Sequence, residues 1–294
     1  MPLRIIHRTE YLYDSSVSAS YGQLYLLPRE AAGQQVLGSQ LLIDPAPDSY
    51  NEFLDFYGNR VANFSVAKSH AMLTITTTSR VDVSGRSVIS DQQFLHPSWN
   101  DTVDILNLSA DDSVLEARGF SFESPLVPRS SATRDYAEES FRPGRGLLEA
   151  VSDLTKRIFT DIAYKAGVTS LDTSPDDVLA LRQGVCQDLA HLQIACLRSM
   201  GLAARYVSGY LETLPPPGQT KLQGADASHA WVSVFVPGLG WVDVDPTNNC
   251  FVGGRHICTA WGRDYADVSP VKGVIFTDAK NNTMTVSVDV SHSL

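Results

Sequence analysis

The chain has 294 residues, 43% of them hydrophobic, 9% aromatic and 19% charged, which is core material for about two domains and argues against intrinsic disorder. A net charge of −10 and a pI near 5.1 argue against a nucleic-acid-binding surface or a polybasic membrane contact. No apolar run approaches the ~20 residues of a membrane span, and the start, Met1 to His7, has neither an apolar h-region nor a cleavage site, so a cytoplasmic location is expected.

Strands are predicted first. Leu3 to Tyr13 is β-rich and partly alternating; Tyr21 to Leu27, Ser39 to Asp44, Asn51 to Tyr57, Val61 to Val66 and Ala71 to Val83 come next, separated by turn signals at Pro28, Asp44-Pro45, Pro47-Asp48 and Gly58-Asn59. Short strands at such spacing predict an N-terminal β-sandwich or barrel-like domain over residues 1–84. Residues 85–145, rich in Ser, Pro and Asp, read as a linking region with some helix of its own. An amphipathic helix begins near residue 146, with Leu147, Leu148, Val151, Leu154, Ile158 and Phe159 at three- and four-residue spacing. Ser174-Pro175-Asp176-Asp177 places an N-cap, a proline at N1 and acids in the first turn of a second, short helix. A third runs from Cys186 to about Met200, closed by Gly201. Its apolar stripe, through Leu189, Leu192 or Gln193, Cys196, Leu197 and Met200, includes Cys186. Strands return at Ala203 to Glu212, then as a hairpin of Ser228 to Val236 and Trp241 to Asp245, then at Val271 to Thr277 and Thr283 to Val290. Residues 146–294 thus read as an α+β domain that includes the C-terminal strands.

Cys186, His229 and Asp245 are the parts of a cysteine nucleophile with its base and its orienter. Cys186 opens a helix, where the partial positive charge favours a thiolate, and Gly184 permits a tight turn just before it. His229 heads an alternating strand and shares a face with Trp231, Ser233 and Phe235. The loop 213–226, with three prolines, is placed to overhang this trio. His191 lies roughly 140° around the helix from Cys186 and is assigned to packing. His7, His70, His96, His256 and His292 have no comparable context. An odd effective loop length in the hairpin brings Asp245 opposite Trp231 and diagonal to His229; Asp243 shares that face one pair farther off, so Asp245 is the preferred carboxylate. Of the four cysteines, Cys196 reads as core, while Cys250 and Cys258 fall in a loop-like stretch with no evident role. They are too few for a disulfide scaffold and lack zinc spacing, so no metal or other cofactor is expected. The backbone N–H of Cys186 is a ready oxyanion donor, with Tyr164 or Gln187 as side-chain partner; Tyr164 reads equally as a packed core tyrosine.

The segments Gly184 to His191, Arg205 to Tyr210, Ser228 to Trp231, Gly240-Trp241 through Asn248 and Gly262 to Val268 together resemble the transglutaminase-like superfamily, in particular its bacterial members of cysteine-protease type. Residues 1–80, with Asp55 to Arg60, resemble the N-terminal β-domain of that group. The resemblance implies a papain-like, transglutaminase-like α+β core, with Cys186 as nucleophile, His229 as base and acid, Asp245 as orienter, and a thioester resolved by water or an amine. No EF-hand-like loop is present. Trp231, Arg263 and Asp264 border the implied site, the last two equally readable as a structural ion pair. The expected activity is hydrolysis of a peptide or isopeptide-like amide in a peptide or protein substrate. The alternatives are acyl transfer from a glutamine side chain to an amine, and a non-enzymatic binding module with an unreactive Cys186 and an exposed apolar patch on residues 1–80. Oligomeric state is not encoded legibly.

Overall fold

The computed structural model describes residues 2–86, 97–213 and 227–292; the expectation for the loop 213–226 falls almost wholly outside them. The first five strands are β1 (Leu3–Leu24), β2 (Gln35–Asp44), β3 (Ser49–Leu54), β4 (Arg60–Val66) and β5 (His70–Asp82). Four helices come next, α1 (Trp99–Leu108), α2 (Asp112–Arg118) with a 3-10 turn at Gly119–Ser121, α3 (Ser131–Glu138) and α4 (Leu147–Asp161). Then come β6 (Ala163–Tyr164), α5 (Pro175–Leu181), β7 (Gln183–Gly184) and α6 (Cys186–Ser199). The chain continues through β8 (Ala204–Leu211), β9 (Ala227–Val236), β10 (Gly240–Asp245), β11 (Cys250–Phe251) and β12 (His256–Gly262). It closes with α7 (Tyr265–Val268), β13 (Val271–Thr277) and β14 (Asn282–His292).

The barrel-like expectation takes the form of one curled antiparallel sheet of seven strands, in the order β2-β5-β1-β4-β3 with β13 and β14 also on β1. The two strands expected at 3–13 and 21–27 are one: β1 runs through both, its first half between β5 and β14 and its second between β4 and β13. Leu3, Ile5, His7 and Thr9 alternate into the interior, as a strand with one buried face requires. The C-terminal strands thus belong to the first sheet and not to the domain 146–294. Their alternation satisfies any sheet edge, and only the fold selects which one.

The second sheet is antiparallel, in the order β11-β10-β9-β8-β12. Helix α6 packs on it through Leu189, Leu192, Ala195 and Cys196 against Ala230, Val232 and Val234. Every residue from Asp188 to Arg198 is buried, so α6 is central and not merely striped. Its buried polar side chains bond inside: Gln193 Nε2 donates to Thr155 Oγ1 at 2.8 Å, and Arg198 to the carbonyls of Phe120 (2.9 Å) and Arg263 (2.6 Å). The segment 85–145 does more than link. Leu106, Val114 and Ala117 pack with Ala203 and Phe235, while Val127, Ala137 and Phe141 join the main core. Ser174 is the expected N-cap of α5, and Asp177 completes a capping box with it. β11 and β12 replace the expected loop around Cys250 and Cys258; all but one residue of β12 is buried, which erases the alternation that marks a strand. No helix among the described residues is long and apolar enough to cross a membrane.

Two amide side chains join the halves. Gln34 donates to Cys258 O and accepts from Cys258 N, both at 2.8 Å. Asn59 donates to Trp261 O at 2.8 Å and accepts from Trp261 N at 2.9 Å. Each imitates a neighbouring strand and covers the β12 edge that β8 does not pair. Replacing Asn59, which is 0% exposed, by Ala orphans two part-buried backbone groups of Trp261. The expected loss is about 2 kcal/mol in denaturant-monitored stability; an unchanged midpoint and slope contradicts this role.

Candidate active site

The thiol sits where three local devices converge. The parallel pair β6–β7 sets Tyr164 beside Gly184. Asp188, 1% exposed, turns back to accept from Val185 N at 2.8 Å and Thr169 Oγ1 at 2.7 Å, fixing the first turn of α6. A Cβ on Gly184 would stand 2.9 Å from the Asp188 Cβ, so the glycine is needed for close approach rather than for an unusual φ. Cys186 comes next, half-buried, at the first residue of α6. Its N–H and those of the next two residues have no intrahelical acceptor and point out of the helix start.

The imidazole and carboxylate arrive on the second sheet. The β9–β10 register pairs Trp241 with Phe235, Asp243 with Ser233 and Val244 with Val232 across a three-residue connection, the odd loop length expected. Asp245 lies next in line, and its Oδ2 is 2.7 Å from His229 Nε2. His229 thus commits Nε2 to Asp245, leaving Nδ1 as the nitrogen for its hydrogen bond with Cys186. Opposite His229 on β8 is Gly209, whose Cβ would stand 2.0 Å from Ile257 O and 2.6 Å from the Trp231 ring. The imidazole is hydrogen-bonded to the carboxylate and interacts with the Cys186 thiol.

Asp245 is 0% exposed and has more donors than the sequence suggests. Oδ1 accepts from Thr247 N (2.8 Å) and Asn248 N (3.2 Å); Oδ2 accepts from His229, from Asn248 Nδ2 (2.7 Å) and from His256 Nε2 (3.0 Å). His256 and Asn248 are site residues that sequence reasoning misses. His256 has no context in its own stretch of chain, and only the adjacency of β12 to this corner supplies one. Asn248, within three residues of Asp245 in an Asp-Pro-Thr-Asn run, carries a local turn signal. His229, Asp245 and His256 offer ligand atoms within 4.8 Å of one another, a spacing a metal ion could use, but their hydrogen bonds already occupy those atoms.

Burial by itself would lower the His229 pKa. The hydrogen bonds to Asp245 and Cys186 and the charges of both outweigh it, and the imidazole is pushed up to about 10. Burial would raise Asp245; the bonds from His229 and His256 hold it well below the usual carboxylate range. Burial lowers His256, which serves Asp245 as a neutral donor. The arrangement therefore favours an imidazolium at His229 against a carboxylate at Asp245.

The other expected residues divide. Tyr164 is 59% exposed and feels the charge of Cys186, so it is not a packed core tyrosine. Gln187 is half-buried, next to the thiol on α6. Trp231 is 0% exposed and donates Nε1 to Asp243 Oδ2 at 3.2 Å, which makes it a floor behind His229 and not a border. Arg263 pairs with Asp267 at 2.9 Å, and not with Asp264. Asp264 is buried, caps α7 through Ala266 N and accepts from Leu126 N. His191 accepts from Tyr265 N at 3.1 Å, and burial takes its pKa to about 4, a structural histidine. Burial pushes the Cys196 and Cys258 thiols up, the latter to about 11. Cys250 stands opposite Asp245 on β11.

Residues 3–82 match the family described as the bacterial transglutaminase-like N-terminal region, and residues 134–246 match the transglutaminase-like superfamily. An uncharacterized protein of Mycobacterium tuberculosis is 43% identical over 98% of this chain and 91% of its own length, and one of Mycobacterium leprae 31% identical over 92% of each. A protein-glutamine gamma-glutamyltransferase of Pseudomonas aeruginosa is 32% identical over 41% of this chain but only 18% of its own length. Among solved structures, one from Cytophaga hutchinsonii named "a Putative Cysteine Protease" superposes with a TM-score of 0.78 at 24% identity, covering 99% of this chain and 90% of that one. At that identity the likeness concerns the fold alone.

The corner around Asp245 has two measurable consequences. His229 is raised from 6.5 to about 10, so its contribution to stability is complete below about pH 6.5 and is lost as pH rises through about 10. The difference in urea stability between wild type and His229→Gln should therefore shrink steadily between those limits; a constant difference argues that no imidazolium is held. His256→Phe removes one donor to a buried carboxylate and should cost about 1.5–3 kcal/mol, read in the same titrations.

Proposed function

The chain belongs to the transglutaminase-like superfamily, and from that premise we propose that it is a cysteine hydrolase that cleaves a peptide or isopeptide-like amide through a thioester. The observation that carries the reading is the run from the Cys186 thiol through His229 to a fully buried Asp245. The Cys186 sulfur, as thiolate, attacks the amide carbonyl carbon, and the carbonyl π electrons move to oxygen. The oxyanion is received by the backbone N–H of Cys186 at the start of α6, with the exposed Tyr164 hydroxyl or the Gln187 amide as the second donor. His229 Nδ1–H then protonates the leaving nitrogen as the C–N bond breaks, and the acyl group remains as a thioester. The same nitrogen next takes a proton from water, whose oxygen displaces the thiol and releases the acid. Asp245 keeps Nε2 protonated throughout, so Nδ1 alone cycles its proton.

Acyl transfer is the second reading. It is supported by the name of the Pseudomonas relative over the aligned part of the chain; an amine takes the place of water in the second step. The binding-module reading draws on exposed Leu42 and Leu54 in the first sheet and Phe56 in the turn between β3 and β4.

Iodoacetamide alkylation at pH 7 is the first test. Cys186 should react roughly tenfold or more faster in wild type than in His229→Ala, since an unassisted thiol is only a few per cent thiolate there. Cys196 and Cys258, 0% and 1% exposed, should stay unmodified. Equal rates would remove the enzyme readings together. With an active thiol, new peptide termini on casein identify hydrolysis, whereas ammonia release with incorporation of a dansylated amine identifies transfer.

A further inference from the structure

Outside the thiol site, the junction of the two sheets holds a cavity of about 630 Å³, within the range of small-ligand sites. Its lining includes Arg86, Arg205, Asp243, Trp241 and Trp261, with Glu116 exposed at the rim. Arg205 comes from β8 and is 8% exposed. Its guanidinium lies 4.2 Å from the Trp241 ring centre and 3.7 Å from that of Trp261, while Arg29 also stands over Trp261 at 3.1 Å. The stack holds the guanidinium between two rings that offer no acceptor, and Arg205 Nε is buried without a hydrogen-bond partner among the described residues.

Arg86 repeats the pattern. Its Nη2 donates to Gln34 Oε1 at 3.2 Å and its Nη1 stands 3.6 Å from Asp243 Oδ2, yet its Nε is also buried and, among the described residues, unpartnered. Asp243 is already engaged by the Trp231 indole at 3.2 Å. With Arg29 on Trp261 and Glu116 at the rim counted in, three guanidiniums stand against two carboxylates among the described residues, leaving one positive charge. Burial takes the Arg205 pKa down to about 10, with Asp243 and Cys258 opposing and Arg29 assisting. A buried guanidinium with idle donors is costly unless something completes it. Its planar fork is complementary to a carboxylate, and a single negative charge balances the cavity where a phosphate dianion would exceed it.

We propose that the cavity between the two sheets, lined by Arg205 and Arg86, is a binding site for one carboxylate group, borne by a small organic acid or by the C-terminus of a peptide. The site is independent of the amide-hydrolase reading, although β10 carries both Asp243 here and Asp245 at the thiol.

Isothermal titration of the full chain at constant ionic strength in chloride tests it. The probes are acetate, N-acetyl-alanine, N-acetyl-alaninamide and inorganic phosphate. Saturable binding of at least one carboxylate is expected, with no response to the amide and phosphate about tenfold weaker or worse. A preference for N-acetyl-alanine over acetate assigns the site to chain ends, and equal binding to small acids. Arg205→Met and Arg86→Gln should each weaken carboxylate binding about tenfold or more, and bound carboxylate should raise the melting temperature of wild type only. If Arg205→Met does not fold, wild type and Arg86→Gln decide. Absence of saturable binding in wild type overturns the proposal, as does phosphate binding as tight as carboxylate, or carboxylate binding retained in both variants.

Discussion

A carboxylate sealed from solvent is the constraint on which the functional end of the molecule turns. Asp245 is 0% exposed and accepts from five donors that originate in β9, β12 and the turn after β10. A buried charge with fewer partners would be neutralised or expelled. The strands must therefore meet at this corner in one register, and that register presents His229 to Cys186. Rigidity at the carboxylate becomes directionality at the imidazole: with Nε2 held by Asp245, Nδ1 is the ring nitrogen left for the thiol in the proposed mechanism.

The corner is itself held by the way the two sheets are joined. β12 contributes His256 to Asp245 and leaves one edge unpaired by strand; Gln34 and Asn59 close that edge with paired amide bonds. The first sheet thus does more than sit beside the core. It finishes the strand that carries a donor to the buried carboxylate, and its connections wall the arginine-lined cavity on the other side of β10. The same economy marks the other half of the site, where Asp188 ties Val185 and Thr169 together and a glycine at 184 makes room for it.

How much of this is legible in the sequence depends on whether the information is local. The helix starts are legible: Ser174-Pro175-Asp176-Asp177 and Gly184-Val185-Cys186 carry their caps and breaks in adjacent residues. The thiol, the imidazole and the preferred carboxylate can be named from motif and period, and even the parity of the hairpin comes from requiring Asp245 and His229 to share a face. Strands that are buried on both faces are not legible, because β12 has no alternation to read. The long β1 reads as two strands because its middle lacks a continuous apolar face.

Partnership between distant segments was decided by the tertiary structure alone. Nothing near residues 271–292 says that they pair with β1 rather than with the core, since an amphipathic strand fits any open edge. Nothing near His256 says that it reaches Asp245, and Arg263 pairs with Asp267, one helical turn on, rather than with the adjacent Asp264. Sequence by itself determined which chemical groups the protein owns and where its local elements begin, because those depend on side-chain type and on spacing of a few residues. The tertiary structure decided which of those groups meet, because a hydrogen bond between residues far apart in the chain depends on packing that no short window contains.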